Sequence, residues 1–314
     1  MIPSAVFEAL THPSSANLMY VPQFFCSGKT RYPNIFLCLG ALFFALIAAP
    51  LACAQTLSSP ESVRYDGANA RFLISNRGAG EILARSSTGT LSVFTTDPAS
   101  PAGIEIVGNL LYVADGSRVR SYRLDTGARI ADYPIPGSSF LNGISSDGSN
   151  RLWVSDFSGA ALYELDLSNP AALSHRLFIG GLSFSPNGLR FDAPNQRLLI
   201  VTWGTGRIFK ANLDGTGLTQ ILAVGASNID GVAIDCDGAV YVSSWGAQAI
   251  KRFEAPLTAA SLSVDLVTGL SNPADIAYAP DLGQIASPNV GASTVSLHDT
   301  RCLGVMFRDR LEDR

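Results

Sequence analysis

The sequence predicts an all-β protein, a six-bladed β-propeller preceded by an N-terminal signal sequence. Three observations carry that prediction. An apolar leader ends in a cleavage signal, one short phrase recurs six times at a nearly constant period, and each copy is filled with alternating, strand-like runs.

The leader comes first in the chain. Lys29 and Arg31 precede an apolar run from Ile35 to Leu51, and Ala52-Cys53-Ala54 provides the small residues that a signal peptidase reads, making Gln55 the first mature residue. The run is also long enough for an uncleaved membrane anchor. An A-x-A site followed by turn-rich sequence favours cleavage and a periplasmic or secreted protein. The predicted organisation is a signal peptide with an irregular N-terminal extension over 1–54, a propeller over 55–307 and a tail over 308–314.

Removing Glu8, Lys29 and Arg31 shifts the formal charge from −4 to −5. A mildly acidic chain with scattered arginines lacks the basic footprint of a nucleic-acid binder, and nothing in the mature part is apolar enough to span a bilayer. Only Cys236 and Cys302 survive cleavage, free to pair or to remain thiols. Only His175 and His298 remain of the histidines, which argues against chemistry built on a histidine cluster.

The repeats start at Pro60-Glu61-Ser62-Val63, Pro101-Ala102-Gly103-Ile104, Leu141-Asn142-Gly143-Ile144, Pro186-Asn187-Gly188-Leu189, Ile229-Asp230-Gly231-Val232 and Pro273-Ala274-Asp275-Ile276. Their second positions lie 40 to 45 residues apart. Each copy continues with a run rich in Val, Ile, Leu and aromatics, as in 151–155 and 239–243, and then an alternating run, as in 207–211 and 249–253. Asp147-Gly148, Asp214-Gly215 and Asp237-Gly238 mark turns between them. Three to four strands per period of just over forty residues is a propeller blade, and six copies give six blades. Residues 55–60 are short for a ring-closing strand, so Arg301 to Phe307 are expected to supply the outer strand of the last blade.

The first strand of each blade lines the propeller axis, so equivalent repeat positions form a ring around one mouth of the tunnel. The second position reads Glu61, Ala102, Asn142, Asn187, Asp230 and Ala274. Asn and Asp also close turns at strand entries, but four oxygen-bearing side chains in register form a polar ring. Two carboxylates and an amide oxygen suit a hard divalent cation, and the two alanines are expected to leave one side open to a substrate. Asn76, Asp115, Asp156, Trp203 and Trp245, at the ends of the second strands, are expected near the pocket walls. The two tryptophans there either stack on a ring-shaped ligand or pack between blades.

Glu61 in Pro-Glu-Ser-Val, Asn142 in Phe-Leu-Asn-Gly, Asn187 in Pro-Asn-Gly-Leu and Asp230 in Ile-Asp-Gly-Val resemble the motifs of the senescence-marker-protein, gluconolactonase and luciferin-regenerating-enzyme family. Each is followed, after four intervening residues, by Asp66, Asp147, Asp192 or Asp235. The resemblance spans essentially the whole mature chain. It implies a six-bladed propeller whose single divalent metal ion, Ca²⁺ with Mg²⁺, Mn²⁺ or Zn²⁺ as alternatives, is held by Glu61, Asn187 and Asp230. It further implies that Asp230 helps deprotonate an attacking water and that Asn142 contacts water or substrate, so that the small-molecule substrate is a lactone or related ester. One departure bears on that substrate. Sugar-lactonase members carry an Arg two residues before the equivalent of Asn142, and this chain has Phe140 there, which points to something more apolar than a sugar lactone.

Two other function classes compete. In a non-catalytic module resembling NHL-repeat propellers, the ring would hold a structural metal ion while the surface binds a ligand or scaffolds partners. In a strictosidine-synthase-like propeller, a catalytic Glu would sit low in the tunnel, with Glu105 and Glu164 as the available residues.

Overall fold

The computed structural model describes residues 55–300 and Cys302. Twenty-three strands fold into six antiparallel sheets, each running in sequence order from the axis outward. The innermost strands are Pro60–Asp66, Pro101–Val107, Leu141–Ser146, Pro186–Asp192, Ile229–Ile234 and Ala277–Ala279. The first five blades have four strands and the sixth has three among the described residues. Among the described residues there is no α-helix, only three single-turn 3₁₀ segments, and no helix long and apolar enough to cross a membrane.

The alternation read from the sequence explains the packing. Both faces of a blade are covered by neighbouring blades, so successive residues of a strand enter two different cores. In the third blade, Leu152 and Val154 pack toward the second blade while Trp153 packs toward the fourth. Six apolar clusters result, one at each junction. The cluster of Val63, Phe72 and Ile74 with Ala277, Ala279 and Ala286 joins the last blade to the first.

The ring closes through that core, through a parallel bridge between Ser62 and Asp275, and through the Asp275 N–H donating to the Glu61 carbonyl at 2.9 Å. Cys236, in the turn after the innermost strand of blade five, forms a disulfide with Cys302, which settles the pairing left open by the sequence. The predicted closing strand at 301–307 lies outside the described residues except for Cys302, as does the predicted leader.

Four of the six repeats carry glycine at their third position for a steric reason. A Cβ on Gly143 would sit 2.2 Å from the Asn187 carbonyl oxygen, and one on Gly188 would sit 2.5 Å from that of Asp230. Neighbouring inner strands therefore approach too closely for any side chain there.

Candidate functional site

The side chains of the ring reach the tunnel mouth because of a bulge. In the first five blades the pairing of the first and second strands slips at the ring position, for example between Pro186 and Leu189 and between Ile229 and Val232. A bulge leaves an unpaired residue and re-aims its side chain. Serines of the second strands stabilise the slip. Ser155 Oγ accepts the Gly143 N–H at 2.8 Å and donates to the Asn187 carbonyl at 2.8 Å. Ser243 accepts the Gly231 N–H at 2.8 Å and donates to the Ala274 carbonyl at 2.7 Å.

Glu61, Asn142, Asn187 and Asp230 all line one cavity of about 470 Å³ at this mouth, each at most 6% exposed. Asn142 Nδ2 donates to Asn187 Oδ1 at 2.7 Å, and Asn187 Nδ2 points at the Ile229 carbonyl, 3.4 Å away. Asn142 makes no other side-chain hydrogen bond among the described residues. The two carboxyl groups sense each other and are poorly solvated. Burial pushes the Glu61 carboxyl up to about 7, against the opposing pull of Arg77 and with a further upward push from Asp275. Burial also raises Asp230 well above the carboxylate range, and the Glu61 charge adds to that.

Ala102 and Ala274 do not leave the expected opening. Both are fully buried and neither lines the cavity. The walls come instead from the residue that follows the second strand in five of the six blades: Arg77, Phe157, Trp203, Trp245 and Val290. They stand at the rim because the backbone N–H groups of Phe157, Trp203, Trp245 and Val290 donate to Phe140, Ser185, Asn228 and Asn272, each two residues before the ring. The tryptophans are thus wall residues, meeting edge to face at 5.2 Å.

Asn76, Asp115 and Asp156, one residue earlier in the chain, are buried loop clamps and do not line the cavity. Asp156 accepts the N–H groups of Ser139, Phe140 and Gly159, each at 2.9 Å, and Asp115 accepts those of Ala99 and Ser100 at 3.2 and 2.6 Å. Asp66, Asp147, Asp192 and Asp235 clamp the hairpins at the far ends of the inner strands. Asp192, for instance, takes Arg197 Nε at 2.7 Å.

Two features went unread in the sequence. Arg77 brings a guanidinium into the cavity from blade one, stacked 4.7 Å over the Phe140 ring and 4.0 Å from Glu61 Oε1. The charge expected to be missing at position 140 therefore arrives from another blade. The signal was available, since Arg77 shares its repeat position with Trp203 and Trp245. Below the ring lies a second polar layer in which Arg64 contacts Glu105 at 3.4 Å and Asp275 at 3.2 Å, and Arg190 contacts Glu105 at 3.7 Å. Glu105 thus faces the tunnel, but two guanidinium groups hold it. Glu164 lies outside the tunnel, paired with Arg151 and Arg176.

Neither His175 nor His298 lines the cavity. His175 bonds to Tyr133, and His298 bonds to Ser296. Among the described residues, the one cluster of thiol and acid groups with metal-like spacing, Cys236, Asp237 and Cys302, has its two sulfurs joined in the disulfide.

The pattern defining the family described as SMP-30/Gluconolactonase/LRE-like region matches residues 60–274, from the first ring motif to the last. No curated protein matches the sequence. Among solved structures, a luciferin-regenerating enzyme is similar with a TM-score of 0.62 at 12% identity, covering 80% of this chain and 95% of that one. A candidate gluconolactonase from structural genomics is similar with a TM-score of 0.63 at 18% identity, covering 79% and 90%. A catalytically inactive virginiamycin B lyase from Staphylococcus aureus, its histidine replaced by alanine and quinupristin present, is similar with a TM-score of 0.58 at 15% identity, covering 80% and 83%. At these identities the likenesses speak for the propeller fold.

Proposed function

The chain belongs to the SMP-30/gluconolactonase/LRE-like family, and from that premise we propose that it is a secreted, divalent-metal-dependent hydrolase of a lactone or related ester. One observation carries the proposal: two buried carboxyl groups, Glu61 and Asp230, share a cavity floor with an amide oxygen and lack a full counter-charge. The tunnel holds four carboxyl groups, from Glu61, Asp230, Asp275 and Glu105, against the guanidinium groups of Arg64 and Arg190. With all four carboxyls ionised, as a bound cation requires, the excess over the two guanidinium groups is two negative charges, the charge that one divalent cation neutralises. Arg77 offsets only part of it, because it sits 4.0 Å away and is a third exposed.

Glu61, Asn187 and Asp230 fit such an ion, offering two carboxylates and an amide oxygen, with Ca²⁺ as the first expectation. Trp245 Nε1, buried without a hydrogen-bond partner, lies near enough to favour the ionised form of Asp230. The ion supplies Lewis-acid polarisation of the ester carbonyl. The protein supplies the rest. Asp230 takes the proton of the attacking water, a role suited to a carboxylate held at the cavity beside the reacting bond. Asn142 has an N–H to spare after bonding Asn187 and donates it to a substrate oxygen. The aromatic wall excludes bulk water around the scissile bond.

Among the described residues no histidine lines the cavity, which separates it from chemistry of the kind lost in the lyase variant with alanine in place of histidine. The Cys236–Cys302 disulfide supports export to an oxidising compartment, either the periplasm or the exterior.

The test is turnover of a panel of lactones by the mature protein. Chelation with EDTA is expected to abolish hydrolysis, and one equivalent of a divalent ion to restore it. Turnover that ignores chelation contradicts the proposal. Thermal stabilisation by Ca²⁺ with no lactone cleaved under any ion replaces it with the non-catalytic module.

A further inference from the structure

The cavity wall is asymmetric in a way that a small polar lactone does not need. Phe140, Phe157, Trp203 and Trp245 form a continuous arc, with ring centroids 6.0, 6.0 and 5.2 Å apart in that order. Four aromatic side chains from three blades, meeting edge to face, present flat surfaces of the kind on which another ring packs. At the Phe140 end the arc is capped by Arg77, its guanidinium 4.7 Å over that ring.

Arg77 is weakly engaged by the protein. Its Nε donates to Ser100 Oγ at 3.4 Å, and its closest acidic approach, to Glu61, is 4.0 Å, beyond hydrogen-bonding distance. Its Nη atoms make no hydrogen bond among the described residues. A guanidinium carries five donors in a planar fork that matches a carboxylate. The Phe140 ring holds the guanidinium at the cavity edge, 4.7 Å from its centroid, and leaves the Nη donors available to a ligand. The cavity, at about 470 Å³, has room for a ring, an ester and a short acid arm.

We propose that the site takes a lactone or ester bearing a flat apolar ring and a carboxylate, with the ring against Phe157, Trp203 and Trp245 and the carboxylate on the Arg77 fork. The proposal rests on the hydrolase reading for the bond that is cleaved, and on the wall alone for the groups that are recognised. Arg77 is then a specificity-determining residue, and the ring stacks where Trp203 and Trp245 report its arrival.

The test is a fluorescence titration exciting tryptophan, run in Ca²⁺ and again in EDTA, with 3-phenylpropionate, 3-phenylpropanol and hexanoate as probes. The wild type should bind 3-phenylpropionate about tenfold or more tightly than either of the others, the range a charged hydrogen bond or a buried ring provides. Arg77→Met should lose about tenfold or more for 3-phenylpropionate and change 3-phenylpropanol by less than about twofold. Arg77→Lys, which keeps the charge without the fork, should recover part of the loss. If 3-phenylpropionate affinity falls in EDTA and is untouched by Arg77→Met, the anion sits on the cation and the assignment to Arg77 is overturned. Equal binding of hexanoate and 3-phenylpropionate overturns the aromatic half, and absence of binding by every probe overturns both. A protein that keeps these preferences yet cleaves no ester retains the recognition site and loses the hydrolase.

Discussion

Replacing Asp230 with asparagine is expected to stop lactone turnover, by about 10²-fold to 10⁴-fold if its role is that of a general base, and to make the metal-free protein more stable. The two effects arise from the same feature. Asp230 is 3% exposed and close enough to Glu61 for each charge to disfavour the other. Without a cation, burying both carboxylates costs free energy that folding must overcome. The sign follows from linkage. The Glu61 pKa in the folded state, about 7, lies above its ordinary value of 4.5. Folding therefore favours the protonated acid, and that contribution is fully present below about pH 4.5 and lost as the pH rises through about 7.

The metal-free wild type should thus melt at progressively lower temperature between pH 4.5 and 7, while Ca²⁺ stabilises it most at the upper end of that window. Asp230→Asn removes a second carboxyl that burial and the Glu61 charge both hold in its protonated form, so the slope in EDTA flattens, while burial still keeps the Glu61 carboxyl above its ordinary range. Melting curves across this pH range, with EDTA and with Ca²⁺, check the expectation. A variant less stable than the wild type at every pH, or one that still hydrolyses lactones, runs against the roles assigned to Asp230.

The second large effect is expected on stability alone. The Cys236–Cys302 disulfide closes a sequence separation of 66 residues, which in the chain-entropy treatment stabilises the native state by about 4 kcal/mol. It fastens the chain just beyond the last described strand of the sixth blade to the turn that follows the inner strand of blade five. Cys302→Ser should lower the unfolding free energy by an amount of that order, and a reductant should do the same to the wild type. Turnover at 25 °C should survive. Cys236 follows the C-terminal end of Ile229–Ile234, whereas Asp230 lies near the N-terminal end, roughly 15 Å away at the usual rise of a strand. Unchanged melting in reductant, or loss of activity before loss of fold, contradicts this separation of roles.

The six-bladed architecture was legible because each blade repeats one phrase, and the ring residues were legible because they occupy one position of it. That position is set by local geometry: a bulge, followed in four of the six repeats by a glycine that the next strand's carbonyl or amide forbids to be anything larger. In the first and third blades the wall lies one residue beyond the polar residue that ends the second strand. Asn76, Asp115 and Asp156 look chemically active, yet their carboxyl and amide groups close loops, and it is Arg77 and Phe157, the residues after Asn76 and Asp156, that face the cavity. The tryptophans marked the correct register, and aligning Arg77 and Phe157 with them would have revealed the wall. The Arg64–Glu105–Arg190 layer was not legible, since knowing that a side chain enters the tunnel below the ring requires the strand alternation after the bulge. The disulfide depended on the distance between the turn at Cys236 and Cys302, remote in sequence, which the fold alone fixes.

The central claim is that Glu61, Asn187 and Asp230 grip one divalent cation, and anomalous diffraction from crystals of the mature protein grown with Mn²⁺ tests it most directly. The account predicts a single anomalous peak on the tunnel axis, in contact with oxygens of all three side chains, that disappears in Asp230→Asn. A tunnel mouth without a peak, or a manganese ion bound away from these three residues, contradicts it.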